Sequence, residues 1–198
     1  ICVTAGAAPM EIFFGMDVFP VLPESLAAIS SGIKQAGEFY ELTDNMGFNR
    51  DICSYTRCGL GLCIKGKCAF GPLPEPDLLM TDANLCCLHV NWWHYMAEYF
   101  NLPFYIVDAP QIGDRVEKHH VDFYIDQLKG MIKFIEDNTN RKYDEDKLKQ
   151  AIRYSDEAGR CWAEVHRLRK TVPSPCSFRD LAGQILPIVT APGSPEAA

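Results

Sequence analysis

Positive charge is scarce and scattered in this chain. Lys and Arg number 19 against 26 Asp and Glu, a formal net charge of -7, and nothing gathers them into the stripe that a phosphate backbone requires. Nucleic acid is thereby excluded as a partner. An anionic lipid surface, which needs a basic amphipathic face, is excluded with it. No apolar run approaches the ~18 residues of a membrane span, and no signal-peptide pattern opens the chain. We therefore expect a cytoplasmic protein that binds no membrane. A G-x-x-x-x-G-K-[ST] loop is missing, so any ATP hydrolysis coupled to this protein belongs to another chain. The paired C-x2-4-C knuckles of structural zinc sites are absent, and so is the C-x2-C-x2-C run of ferredoxins. The sequence starts at Ile1 and stops at "APGSPEAA", and we expect it to be part of a longer polypeptide.

Cysteine, in contrast, is abundant, with nine among 198 residues. The stretch "DICSYTRCGLGLCIKGKC", residues 51–68, sets Cys53, Cys58, Cys63 and Cys68 five apart. A disulfide framework belongs to small secreted domains that lack a core. Here 47% of the residues are hydrophobic, and the odd thiol count forbids complete internal pairing. A metal, iron–sulfur in particular, is the leading explanation, although the spacing by itself names no cofactor. Neighbouring glycines would help such a site, because free backbone N–H groups can hydrogen-bond cluster sulfurs. Cys2, Cys161 and Cys176 read as buried filler, Cys161 on an apolar helical stripe.

In "APMEIFFGMDVFPVLPE", Pro9 suits a first helical position, and Ile12, Phe13 and Met16 recur at helical spacing. "DVFPVLP" reads as a short buried strand or extended entry, closed by Pro20 and Pro23. "SLAAISSGIKQAGEFYELTDNMG" starts as a helix and passes through Gly37 into a loop. Gly59, Gly61, Gly66 and Gly71 predict that no long regular element runs through the cysteine stretch. "PDLLMTD" and "LPFYIVDAP" read as strands buried on both faces, with "ANLCCLHVNWWHYMAEYFN" as the helix between them. That order implies parallel strands, a right-handed crossover and an α/β fold. From Asp114 to Lys170 almost everything is predicted helical, with Leu148, Ile152, Ala158, Trp162, Val165 and Leu168 on one stripe. Cys86 and Cys87 fall just past the C-terminal end of the first of these strands, where ligands collect in open parallel sheets, and Asp108 at the corresponding end of the next.

Taken in order, "APMEIFFGMDVFPVLPE", "DICSY-R", "LPEPDLLMTDANLCC", the following "WW", "LPFYIVDAP" and "VPSPCSFRDL" resemble the family of 2-hydroxyacyl-CoA dehydratases and ATP-dependent benzoyl-CoA reductases. The likeness runs from Ala8 to about Glu196. It implies a subunit of two Rossmann-like open parallel-sheet domains with helical additions, of which this is the N-terminal half. Residues 1–113 would then be the α/β cluster-binding domain, and 114–198 a helical extension leading toward the second domain. It implies a [4Fe–4S] cluster held by three cysteines per subunit. Cys53, in "DICSY-R", and Cys86, six residues before Trp92, match the first two, and the third would come from the other half. One iron is then open to substrate or solvent. The implied partners are an ATP-dependent iron–sulfur activator protein, a homologous subunit, the same or a paralogue, and a CoA thioester. The implied chemistry is one-electron reduction of that thioester to a radical, in an oxygen-sensitive enzyme.

Glu24, in "VLPE", lies in a segment that the likeness brings toward the active site, where a carboxyl could deliver or remove a proton. It reads equally as a helix N-terminal carboxylate favoured by the dipole. Cys58, Cys63, Cys68 and Cys87 exceed the expected ligand set. A branch of the same superfamily, the double-cubane [8Fe–9S] proteins that reduce small molecules, needs more thiolates, and Cys87 beside Cys86 with Cys58 near Cys53 would serve. The other reading makes them spare thiols, and Cys63 and Cys68 receive no role. Outside catalysis, the chain would be an electron-transfer or structural companion subunit, or a colourless zinc-stapled protein. His89 and His94, at i and i+5, do not share a helix face and read as structural. Trp92, Trp93 and Tyr95 read as packing against the sheet, ahead of the alternative of a π-shelf for an aromatic acyl group. His119 and His120 read as solvated, and "EDNTNRKYDEDKLK" as a solvent face.

Overall fold

The computed structural model describes residues 2–3, 8–181, 183 and 191–195; the side chain of Cys2 and residue Glu196 lie outside them. In chain order the elements are β1 (Cys2–Val3), α1 (Met10–Gly15), β2 (Pro20–Val21), α2 (Pro23–Gly32), α3 (Gly37–Asn45), α4 (Ser54–Lys65), β3 (Lys67–Cys68), β4 (Gly71–Pro72), β5 (Leu78–Asp82), α5 (Cys87–Phe100), β6 (Phe104–Val107), α6 (Lys118–Asn138) and α7 (Glu145–Leu168). A four-stranded parallel sheet has the order β2-β1-β5-β6, and β3 pairs with β4 as a small antiparallel ribbon. The fold is thus α/β with a parallel sheet. α5 joins β5 to its parallel neighbour β6, with Leu79 opposite Phe104 and Asp82 opposite Val107. All five residues of β5 are buried, which is why Leu78, Leu79 and Met80 follow one another without polar alternation. Pro20 lies within β2 instead of closing it, which an edge strand tolerates, and Pro23 opens α2 at its first turn.

The described chain divides into two compact units, Ile1–Ala8 with Pro20–Asn140, and Pro9–Phe19 with Arg141–Ala198. In the first, α4 runs between two apolar clusters. One holds Val21, Leu60, Leu79, Trp92, Trp93 and Met96; the other holds Ala27, Ala36, Phe39, Cys58 and Leu62. This overturns the expectation that glycines keep the cysteine stretch irregular, because residues 54–65 are helical throughout. A helical glycine costs about 1 kcal/mol relative to alanine, and here the two glycines serve close approach instead of chain reversal. A Cβ at Gly59 would stand 2.0 Å from Trp92 Cζ2, and one at Gly61 2.4 Å from the Phe39 carbonyl oxygen. The turn-forming glycine is Gly66, left-handed at φ 65°, which caps α4. Gly37 is a second correction: it opens α3 instead of leading into a loop, since the chain reverses earlier, at Lys34 (φ 62°).

In the second unit α1 packs on α7. Gly15 lets α1 approach the backbone of Leu148, the Ser155 hydroxyl donates to Glu11 Oε1 at 2.7 Å, and Lys147 pairs with Asp17. Asp144 caps α7 by accepting from the N–H groups of Asp146 and Lys147. The buried positions of α7 are Ala151 and Ala158. Ile152 and Leu168 are 51% and 44% exposed and Cys161 is exposed, so the predicted stripe is corrected at these three residues. The seam runs through small and polar side chains, Ala151, Ser155 and Ala158, which a count of large apolar residues passes over.

Candidate functional site

The loop leaving β5 carries the first candidate residues. Asp82 Oδ1 accepts the Asn84 N–H at 2.8 Å, a local turn that brings the chain off the strand and into α5. Cys86 is the N-cap of α5, exposed, and its Sγ accepts the backbone N–H of His89 at 3.3 Å. Cys87, the first residue of the helix, is exposed beside it. Asp108 follows β6 at the same edge of the sheet, exposed, with its N–H donating to Gln127 Oε1 on α6.

Cys53 occupies the equivalent position on the neighbouring helix: it is the N-cap of α4, exposed and free. Its approach loop is held by several contacts. The Asp51 N–H donates to Asn49 Oδ1 at 2.9 Å, and Arg57, in the first turn of α4, pairs with Asp44 at the end of α3. Arg50 reaches the other Asp44 oxygen at 2.9 Å, and the Arg57 guanidinium lies over the Tyr40 ring. The arginine of "DICSY-R" therefore fixes the start of α4, a role that nothing in the spacing reveals. Because α4 and α5 meet closely at Gly59 and Trp92, the two cysteines cap the N-termini of two helices packed together. Each helix start carries partial positive charge from its free N–H groups, which favours an anionic ligand.

The remaining thiols differ. Cys58 is fully buried within α4, and its thiol donates to the Ala27 carbonyl at 3.8 Å. Burial pushes its thiol up in pKa. Burial, with Cys58 adding to it, pushes the Cys63 thiol up to about 12. Burial thus disfavours the thiolate at both positions in the fold. Cys68 is half-buried in the β3–β4 ribbon. Cys176 is half-buried as well. Among the described residues, no three His, Cys, Asp or Glu side chains gather closely enough to hold a metal ion. Cys53 and Cys86, exposed thiols at helix starts, are side chains that could serve as metal ligands.

Glu24 stands in the first turn of α2, where the dipole favours a carboxylate, with its side chain 34% exposed. The structure adds a partner that sequence reasoning misses. His89 Nε2, on a residue 5% exposed, is 3.7 Å from Glu24 Oε2. His89 Nδ1 and the buried Thr81 hydroxyl share a hydrogen bond of 3.1 Å. Its ring lies over Trp93, centroids 4.5 Å apart. Trp92 and Trp93 are 2% and 0% exposed and pack α5 on the sheet as expected. His94 is exposed and edge-on to Phe104. His120, expected in solvent, instead accepts the Glu117 N–H through Nδ1 and completes a capping box on α6. No described helix is long and apolar enough to cross a membrane.

Comparison with known proteins gives concordant matches. The 2-hydroxyglutaryl-CoA dehydratase, D-component, family model matches residues 6–198. The (R)-phenyllactyl-CoA dehydratase alpha subunit of Clostridium sporogenes is 29% identical over 191 residues, 96% of this chain and 47% of that protein. The lactoyl-CoA dehydratase alpha subunit of Anaerotignum propionicum is 28% identical over 204 residues, 96% and 48%. A benzoyl-CoA reductase subunit of Thauera aromatica is 27% identical over 169 residues, 83% and 39%. The chain spans about half the length, or less, of these curated relatives.

Proposed function

Because this chain belongs to the 2-hydroxyglutaryl-CoA dehydratase, D-component, family, we propose that it is the cluster-carrying part of an enzyme subunit that reduces a CoA thioester by one electron. The observation that carries this reading is the pair of free, exposed thiols, Cys53 and Cys86, at the N-termini of two helices packed together. They would be two of three cysteine ligands to a [4Fe–4S] cluster, the third lying outside residues 1–198. When bound, the cluster supplies a low-potential electron. The protein's own part is orientation and charge. The helix starts of α4 and α5 favour the anionic cluster, and the His89 N–H holds the Cys86 sulfur. Arg57 and Asp44 keep the Cys53 loop in place. Glu24 would move the proton that accompanies the electron.

Two relatives matched over nearly the whole chain are named hydroxyacyl-CoA dehydratases. Loss of water from a 2-hydroxyacyl thioester is therefore our first reading, ahead of ring reduction. The burial of Cys58 inside α4, its thiol turned to the Ala27 carbonyl, favours a single [4Fe–4S] cluster over a double cubane, with Cys87 a spare thiol next to Cys86. Residues 1–113 would form a Rossmann-like cluster-binding domain and 114–198 a helical extension toward a second, similar domain. Relatives named alpha subunits support a homologous subunit as partner. The exposed apolar Ile112, Val116, Val121 and Ile125 on the β6–α6 loop and the start of α6 are the surface we assign to that contact. An ATP-dependent iron–sulfur activator would deliver the electron, in the cytoplasm.

The test is iron, acid-labile sulfide and zinc per chain on anaerobically purified full-length protein, with EPR after reduction. About four irons per chain is the expected result, and about eight would transfer the reading to the double cubane. Zinc without iron would overturn both.

A further inference from the structure

His89 is held at three points and free at a fourth. Its backbone N–H donates to Cys86 Sγ, its Nδ1 engages the Thr81 hydroxyl near the end of β5, and its ring lies over Trp93 at an interplanar angle of 34°. Thr81 and Trp93 are themselves 0% exposed, so the imidazole cannot swing to find another partner. Nε2 remains, buried and without a hydrogen-bond partner among the described residues, facing Glu24 Oε2 across 3.7 Å. Glu24 is the member with room to move, a partly exposed carboxyl on the first turn of α2. A small rotation of its side chain brings an oxygen to about 2.8 Å from Nε2, an ordinary hydrogen bond.

We propose that His89 is the positioning residue for Glu24. With the proton on Nε2, the Thr81 hydroxyl donates to Nδ1 and the imidazole donates to the carboxylate, which fixes it against the first turn of α5. Cys86 caps that turn. One residue thus ties the carboxyl to the sulfur, through its side chain on one side and its backbone on the other. A ring kept for packing alone needs only Trp93 and Thr81; the nitrogen directed at Glu24 is what packing leaves unexplained. The inference rests on the reading that Glu24 moves a proton for the thioester reaction.

The experiment is a double-substitution cycle on the full-length subunit with its partners, prepared without oxygen. The variants are Glu24→Gln, His89→Asn, His89→Gln and the Glu24→Gln/His89→Asn double. The probes are (R)-phenyllactyl-CoA, lactoyl-CoA and benzoyl-CoA, used for turnover and, in the unreduced protein, for thioester binding by calorimetry. Asparagine retains a polar group near Nδ1 for Thr81 and removes Nε2, whereas glutamine puts an amide N–H near Nε2. We expect His89→Asn to lower kcat about tenfold, the scale of lost second-layer support, with thioester binding and iron content within about twofold of the parent. His89→Gln should recover most of the loss, and the double variant should fall no lower than Glu24→Gln alone. Multiplying effects in the double variant, or a glutamine no better than asparagine, would overturn the positioning role while leaving Glu24 in place. Full turnover in Glu24→Gln would overturn the Glu24 reading and the inference with it. Should His89→Asn fail to fold, Thr81→Val loosens the same ring at Nδ1, and its non-additivity with Glu24→Gln decides the question identically.

Discussion

Helices α4 and α7 are built to opposite plans. α4 has 12 residues, six of them buried, and two glycines set into contacts on opposite sides. α7 is twice as long and buries two alanines, and much of the rest of its surface is charged and laced by i,i+3 and i,i+4 ion pairs. Each carries cysteine. Those within α4 are buried or half-buried, and the one in α7 is open to solvent. A thiol's exposure here follows the helix it belongs to and not the local sequence around it. The same contrast explains the site: Cys53 caps a helix that cannot shift without disturbing Trp92 and Phe39, so its sulfur stands at a fixed point.

The sharpest break in that comparison is functional. Cys53→Ser and Cys86→Ser are each expected to strip most of the iron from the anaerobic protein and lower turnover by at least about a hundredfold, as lost ligands and their supports do. Cys161→Ser on α7 should leave both unchanged. Iron analysis and the reduced EPR signal check this directly.

A smaller effect tests the packing half of the contrast. Gly59→Ala and Gly159→Ala make the same chemical change in the two helices, and each gains about 1 kcal/mol of helix propensity. At Gly159 nothing lies within 4 Å of the new methyl group, so the gain should appear as added stability. At Gly59 the methyl meets the Trp92 ring, and overpacking of this kind costs about 1–3 kcal/mol, enough to cancel or reverse the gain. Opposite signs in denaturant unfolding are expected, and equal signs would mean that Trp92 yields easily.

The smallest effect is in thiol chemistry. Near pH 8, an alkylating reagent should modify Cys161 at least about ten times faster than Cys58 or Cys63 in the folded protein. Cys63 also carries a pH signature. Its thiol is raised from an ordinary 9.0 to about 12 in the fold, so the unfolded chain releases this proton first. Its contribution to stability is complete below about pH 9 and is lost as pH rises toward 12. Cys63→Ala should flatten part of that alkaline decline in denaturant titrations.

Much of this is legible in residue order. The apolar runs at 78–82 and 104–107 announce parallel strands, and the pattern from Cys87 to Phe100 announces the helix between them. Cys86 falls at the sheet edge by the same pattern. The cysteine stretch misleads because glycine in a sequence signals either a turn or a close contact, and only the partner's position distinguishes the two. Arg57 and His89 give no signal either, since Asp44 is 13 residues from the one and Glu24 is 65 from the other.

Residue order alone carried the α/β layout, the family and the choice of Cys53 and Cys86 as candidate ligands, because apolar periodicity and motif order are local properties of the chain; that Cys53 caps a helix emerged only from the fold. Tertiary structure alone decided which thiols are buried, why glycine stands at 59 and 61, and that an imidazole faces Glu24. Those facts depend on side chains distant in sequence meeting within a few ångströms, and burial, hydrogen bonding and protonation are all set at that range.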